Sequence, residues 1–507
     1  MAQETGFLDN FKNKLRDFSF MAPWKLVTGI FKLLYDLQVE GIEHIPEKGP
    51  FILAEREPSL IGVFTTGWLG IKVMQQVFPD GQYNTQSYML DQLFSMKYFQ
   101  LMQERSGDAK MSALIPHSAG RMAVNLVDGY RKLNAGGLVM LNPEGDGSWD
   151  GRQLPVGNSV AWLGLRTAVP IVPTAVSVGA YEIWPRWQSR PRLRGKLQLR
   201  IGEPFQLCSS PVKQISDEDL VLGTERIRKE LEILSYGPAG VSGWIGSITH
   251  RGDHIDDPPV FPPVDGSKKN RPLPQKKEIS PMKRGMAQLL WGCPVCNSND
   301  ALVHHMPFFG RETLSCSKCE TAWGIQHPDG NDIRLSVTAG PSELMDLEMP
   351  LCIWYDQMKA NLTLDPIEIS GSDLNDNEEV YLLTENVPLQ VHKPSFLFKN
   401  WAEVEAPKLQ PRGKQKPGDW DSIGDGQIVL TNQGLCWREQ SRKLDFYWES
   451  VTALYLWNIN TLGIRYGNAR YRIPLGNEAG LKWLTYAGTL LKPIAEQEGR
   501  SVTISTY

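Results

Sequence analysis

Two close cysteine pairs constrain this chain more than any other feature. Cys293-Pro294-Val295-Cys296 and Cys316-Ser317-Lys318-Cys319 stand 19 residues apart. Each pair forms a tight knuckle, and two knuckles supply four thiolates for a tetrahedral ion. That donor set suits Zn²⁺ and closes its coordination sphere, which makes the expected role structural and not catalytic. A small module folded around the metal is therefore expected over residues 286–335. His304 and His305 lie between the pairs as extra ligand candidates, although four cysteines already suffice. Cys208, Cys352 and Cys436 are scattered. This usage fits a metal site in a reducing compartment better than a disulfide framework.

The 507 residues suffice for about three domains. Apolar residues make up 41% and charged residues 22%, as in a globular protein with a sizeable core. A net charge of −4 gives no bulk attraction to nucleic acid, which is not an expected partner. No secretory signal and no run of about 18 apolar residues is visible, so a cytoplasmic location is expected.

Residues 1–37 are predicted to form amphipathic helices. From Pro23 to Tyr35 apolar residues recur at helical spacing, with Lys25 and Lys32 between them. Such a segment either lies in a membrane interface or packs on its own domain. Residues 38–235 alternate strand and helix, the pattern of an α/β domain. Strands are expected at Val39–Ile45, Phe51–Ala54, Leu138–Leu141, Val169–Val176 and Lys196–Ile201. Helices are expected near Gly120–Leu133, Ser159–Thr167 and Asp217–Leu234.

Residues 236–285 are a Pro-rich linker whose second half carries Lys268, Lys269, Arg271, Lys276, Lys277, Lys283 and Arg284. It either touches anionic headgroups or is a solvated spacer. A helical connector is expected over 336–374, centred on Leu344–Leu362. Residues 375–507 read as mainly β, with short strands from Glu379 to Ile473 and a last helix at Glu478–Gln497. That order suggests a small barrel capped by a helix.

An ordered set of motifs carries a resemblance. Val39-Glu40-Gly41 and Ile45-Pro46 precede Phe51-Ile52-Leu53. Arg56-Glu57-Pro58-Ser59-Leu60-Ile61-Gly62 follows, and Pro143-Glu144-Gly145 comes later with Ser148 in register. Val169-Pro170-Ile171-Val172-Pro173 and Arg200-Ile201-Gly202-Glu203-Pro204 complete the series. Residues 38–235 thereby resemble the glycerolipid acyltransferase family, which acylates lysophosphatidate. The resemblance implies an acyl thioester and a lysophospholipid as ligands at a membrane surface. The cysteine module looks like a zinc ribbon. Residues 375–507 look like the pleckstrin-homology superfold on pattern alone, and such folds bind lipids or proteins, which leaves room for a protein partner.

The first motif departs from the family at its chemistry. The family carries Asn-His-x-Ser-x-x-Asp, in which the imidazole takes the acceptor's proton and the Asp orients it. Glu57 stands at the His position and Gly62 at the Asp position. Asp146-Gly147 replaces the family's Thr-Arg, whose guanidinium resembles a phosphate clamp. Glu57 and Glu144 are the candidate catalytic carboxylates. Arg56, Ser59, Arg121, Pro143, Gly145, Ser148 and Pro173 are the candidate substrate contacts. Arg105 and Arg152 are further candidate phosphate contacts or solvated surface residues, and His117 is a candidate to approach the cleft. Three readings stay open at this point: Glu57 as a substitute base, lipid binding without turnover, and a scaffold. A plain alternative for Glu57 is an acid favoured at a helix start.

Overall fold

The computed structural model describes residues 29–59, 61–78, 85–90, 113–117, 122–145, 147–188, 191–236, 285–307, 310–328, 332–368, 377–392, 420–439, 442–467 and 469–505. The expected helices of 1–28, the basic residues of the linker, Arg105, Arg121 and Asp146 lie outside them. No helix among the described residues is long and apolar enough to cross a membrane. The chain divides into two compact units. The first comprises Met1–Ser242, Gln326–Leu335 and Pro350–Cys352, and the second holds the remainder.

In the first unit, seven strands are ordered β1-β7-β6-β2-β5-β3-β4. They are β1 (Asp36–Glu40), β2 (Phe51–Arg56), β3 (Thr85–Leu90), β4 (Ala113–His117), β5 (Leu138–Leu141), β6 (Ile171–Val178) and β7 (Lys196–Ile201). Five run parallel, while β7 turns back against β6 and carries β1 with it. β2 is central and buried throughout, as a continuous apolar run predicts for a strand covered on both faces. Phe51 and Leu53 join a cluster on one face with Leu138, Met140 and Val172. Ile52 and Ala54 join the opposite cluster with Val139, Leu141 and Ile171.

The helices that cover these faces follow the sequence. Helical residues 29–34 (α1) turn Phe31 inward, with Tyr35 just beyond, leaving Ile30 and Leu33 exposed. α2 (Gly62–Val77) follows the first motif, and α3 (Met122–Asn134) precedes β5. α4 (Ser159–Thr167) and the short α5 (Ala180–Ile183) flank β6. α6 (Asp217–Leu234) begins with a full capping box, Ser216 with Asp219.

The expected strand at Val39–Ile45 ends early, at Glu40. Gly41 takes a left-handed φ of 76°, and a Cβ there would lie 2.0 Å from the Ile201 carbonyl oxygen. His44 Nδ1 stands 2.7 Å from that same oxygen. The family-like Val-Glu-Gly stretch is thus a splice between β1 and β7. Gly41→Ala should lower stability by about 2 kcal/mol or more, from strained φ plus collision, read as a lower urea midpoint.

A five-stranded sheet, most of whose residues belong to the second unit, is ordered β12-β11-β10-β9-β8. Its strands are β8 (Leu302–His305), β9 (Thr313–Cys316), β10 (Ala322–Gln326), β11 (Arg334–Ala339) and β12 (Glu348–Pro350). The expected helix at Leu344–Leu362 is shorter: a turn and β12 precede α7 (Leu351–Ala360). Pro350 marks the change, since proline is tolerated at a helix start and not within.

The barrel expected at the C-terminal end is instead an open sheet of eight strands, ordered β16-β15-β14-β13-β19-β18-β17-β20. Its strands are β13 (Val380–His392), β14 (Trp420–Thr431), β15 (Gly434–Glu439), β16 (Arg442–Tyr447), β17 (Val451–Asn458), β18 (Thr461–Tyr466), β19 (Ala469–Pro474) and β20 (Thr503–Ser505). The first strand pairs with the seventh, which bends the sheet, yet β16 and β20 remain its two ends. The three-residue β20 follows the last helix and occupies the edge that closure would have used. α8 (Gly480–Gln497) packs on β17 and β18.

Candidate active site and metal centre

β2 ends at Arg56, and the chain turns through Glu57, Pro58 and Ser59 into α2. Ser59 fixes that turn: its Oγ donates to the Ala180 carbonyl at 2.6 Å and accepts from Ile61 N at 3.3 Å. Gly62 N donates to Ser59 O at 3.0 Å. The second loop leaves β5 at Leu141. Asn142 Oδ1 accepts from Glu144 N at 2.9 Å, and Gly145 takes a left-handed φ of 74°. Ser148 N then donates to Pro58 O at 3.1 Å. The two motifs, far apart in sequence, are therefore joined backbone to backbone.

Glu57 sits at this junction. Part of its surface reaches solvent, yet protein encloses the carboxyl, and burial pushes its pKa up to about 7. A Cβ on Gly62 would stand 2.8 Å from Glu57 Cβ and 3.2 Å from its carboxyl carbon. The missing side chain at 62 is what lets Glu57 lie against the first turn of α2. That placement also suits the plain reading of an acid at a helix start.

The other charged candidates face inward. Arg56 Nε donates to Glu144 Oε1 at 2.9 Å, with side chains 2% and 0% exposed. The guanidinium also reaches Ser235 Oγ and the Gly151 carbonyl, while Glu144 Oε2 accepts from Leu154 N at 3.2 Å. Arg152 pairs with Asp150 at 2.7 Å, and Asp150 also accepts from Ser148 Oγ at 3.3 Å. Removing one member of a buried pair leaves the other uncompensated. Glu144→Ala should cost about 3–5 kcal/mol, read by urea unfolding.

Arg56, Glu57, Ser59, Pro143, Glu144, Gly145 and Ser148 thus come together. Pro143 is buried, and its carbonyl accepts from Gly157 N at 2.8 Å. Pro173 lies one strand over, in β6 opposite Ala54 of β2. His117 ends β4 opposite Leu90, and its side chain is outside the described residues. The sequence reading missed an aromatic clasp on the second loop. Tyr181 OH donates to the Trp149 carbonyl at 2.6 Å, and Trp187 Nε1 donates to Tyr181 OH at 3.1 Å. Burial holds the Tyr181 phenol well above its ordinary pKa. Its signal was the aromatic density of Tyr181-Glu182-Ile183-Trp184-Pro185-Arg186-Trp187.

In the second unit the four cysteine Sγ atoms lie within 4.8 Å of one another. Cys293 to Cys319 and Cys296 to Cys316 measure 3.7 Å each. A tetrahedron with metal–sulfur bonds of about 2.3 Å has edges of about 3.8 Å, so the donors fit a Zn-sized ion. The two knuckles repeat one design. Cys293 N donates to Ser298 O and Asn297 N to Cys293 O, as Cys316 N does to Thr321 O and Glu320 N to Cys316 O. Asn297 and Glu320 both take positive φ, 58° and 61°. A hydroxyl follows each: Ser298 Oγ lies 3.3 Å from Cys296 Sγ, and Thr321 Oγ1 lies 3.2 Å from Cys319 Sγ.

His304 is committed elsewhere. Its Nδ1 accepts from Met286 N at 3.1 Å, and its Nε2 stands 2.6 Å from Glu312 Oε1. His305 is exposed. Beside the first knuckle, Asn299 Nδ2 donates to Tyr486 OH at 2.7 Å. Asp300 and Glu478 each hold the Lys482 ammonium at 2.7 Å. Burial opposes the Lys482 charge, but the two carboxylates outweigh it and raise its pKa. The metal module and α8 are therefore fastened together within one unit.

No family model and no curated protein matches the chain. Among solved structures it is similar to the 1-acyl-sn-glycerophosphate (LPA) acyltransferase PlsC from Thermotoga maritima, with 21% sequence identity. The match covers 46% of this chain and 89% of that one, at a TM-score of 0.32. A likeness that loose decides neither fold nor activity.

Proposed function

We propose that the first unit is a glycerolipid acyltransferase-like domain that binds an acyl thioester and a lysophospholipid, with Glu57 in the role of the family's histidine. The Glu57 carboxyl, raised to about 7 where the two motif loops meet, carries this reading. An ordinary carboxylate with a pKa near 4.5 is about a hundredfold weaker a base than an imidazole near 6.5. At about 7 that handicap is gone.

In the proposed step, ionised Glu57 takes the proton of the acceptor hydroxyl. The oxygen attacks the thioester carbonyl, an ester bond forms, the carbon–sulfur bond breaks, and the leaving thiolate takes the proton back from Glu57 to depart as the thiol. Catalysis is impaired relative to a complete His–Asp pair, because Gly62 supplies no carboxylate. The phosphate contact is impaired too, because Arg56 and Arg152 are held by Glu144 and Asp150. That buried pairing favours a second reading, lipid binding without turnover. In either case we infer a cytoplasmic, membrane-peripheral protein with structural Zn²⁺ on Cys293, Cys296, Cys316 and Cys319.

Purified protein with acyl thioester and lysophosphatidate tests this. Turnover that Glu57→Gln abolishes supports the first reading. Binding of either ligand without turnover supports the second. Absence of turnover, of ligand binding and of vesicle flotation sinks both.

A further inference from the structure

The eight-stranded sheet presents a second constellation. Leu454, Leu456, Leu462, Ile464 and Ile473 of β17, β18 and β19 are buried, so the alternate positions share the opposite face. There Arg465 stands directly across from Arg470, and Gly463 lies between Tyr455 and Arg472. The Tyr455 ring lies over Gly463, where a Cβ would come within 2.2 Å of it. Arg472 stacks 4.4 Å over the Trp420 ring and donates to Gln390 Oε1. Burial pushes the Tyr455 phenol up, and the charges of Arg470, Arg465 and Arg472 pull against that shift.

Like charges directly opposite destabilise a sheet, and Cβ atoms in such a pair are about 5 Å apart. No carboxylate among the described residues pairs with Arg465 or Arg470. Two guanidiniums at that spacing can grip one dianionic group, each through paired N–H donors. A carboxylate, with one charge and two oxygens, would leave donors over; a phosphate monoester has three terminal oxygens and about two charges. β18 is flanked by strands on both sides, so no backbone edge is open to an added peptide strand.

We propose that Arg465, Arg470, Arg472 and Tyr455 form a binding site for a phosphate monoester, free or at the head of a lipid. The site is independent of the acyl-transfer reading, and the failure of either leaves the other standing.

The test uses the full chain. Glycerol 3-phosphate is titrated calorimetrically with inorganic phosphate as competitor. In parallel, phosphatidylcholine vesicles carrying phosphatidate or phosphatidylserine at matched charge are floated with the protein. Saturable binding of the soluble ester identifies a free phosphate. Binding only to phosphatidate vesicles identifies a headgroup. In either case Arg465→Gln/Arg470→Gln should weaken binding about tenfold or more, the loss of at least one charge-assisted contact. Arg465→Gln alone should melt no lower than the parent in low salt without phosphate, because it removes a like-charge contact. No binding in either arm, equal capture by both anionic lipids, unchanged binding by the double variant, or a lower melting point for Arg465→Gln overturns the proposal.

Discussion

With Zn²⁺ in its proposed structural role on the four cysteines, Cys316→Ser is expected to lose the ion and, with it, the cooperative fold of the second unit. Structural Zn²⁺ contributes about 10–16 kcal/mol at neutral pH in small thiolate sites. A whole domain is stable by only about 5–15 kcal/mol, so losing much of that term leaves little in reserve. The local geometry gives the loss a path outward. Two knuckles hold four sulfurs close in space, and Asn299 and Asp300 beside the first knuckle secure Tyr486 and Lys482 of α8. Trp291 and Trp323, 2% and 0% exposed in this unit, report the change. Metal content by mass spectrometry should fall, tryptophan emission should shift to the red, and α8 amides should exchange faster. A variant that retains the ion, or loses it with emission and exchange unchanged, would sink the structural role. Chelation of the parent should reproduce the same shifts.

Glu57→Gln carries the second large effect, on activity and on pH dependence together. The folded carboxyl titrates near 7, against about 4.5 when exposed, so the folded state holds a proton that the unfolded chain gives up. Stability contributed by this group is present below about 4.5 and is lost as pH rises through about 7. The Gln variant lacks that penalty. Its unfolding free energy should match the parent at pH 4 and exceed it at pH 8 by up to about 3 kcal/mol, less where water reaches the carboxyl, with a higher melting point at pH 8. Turnover in the parent should rise with pH along an acid limb centred near 7 and be absent in the variant. Equal melting points at pH 8 would show that the carboxyl is not held as described.

Much of this was legible in the residues. Phe51-Ile52-Leu53-Ala54 reads as a strand, and it lies within β2; Ser159–Thr167 and Asp217–Leu234 form helices with those bounds. The cysteine spacing located four sulfurs that do converge. β3 and β4 were not legible, since Thr85–Leu90 and Ala113–His117 carry little alternation and owe their state to pairing with β5 and each other. The β7 reversal and the open C-terminal sheet likewise depend on which strands pair, a choice that one strand's pattern does not encode. At the candidate site, residue types suggested where chemistry gathers. They did not suggest that Arg56 and Glu144 neutralise each other, because a salt bridge across 88 residues leaves no local signature.

The turn from Glu57 to Gly62 has a consequence for redesign. A Cβ at position 62 meets the Cβ at position 57 within 2.8 Å, and every residue except glycine carries that atom. The obstacle is the path of the main chain and not the choice of side chains. Grafting an imidazole and a carboxylate onto these two positions would fail as a pair of point substitutions. The loop must first be recut so that its two ends stand farther apart.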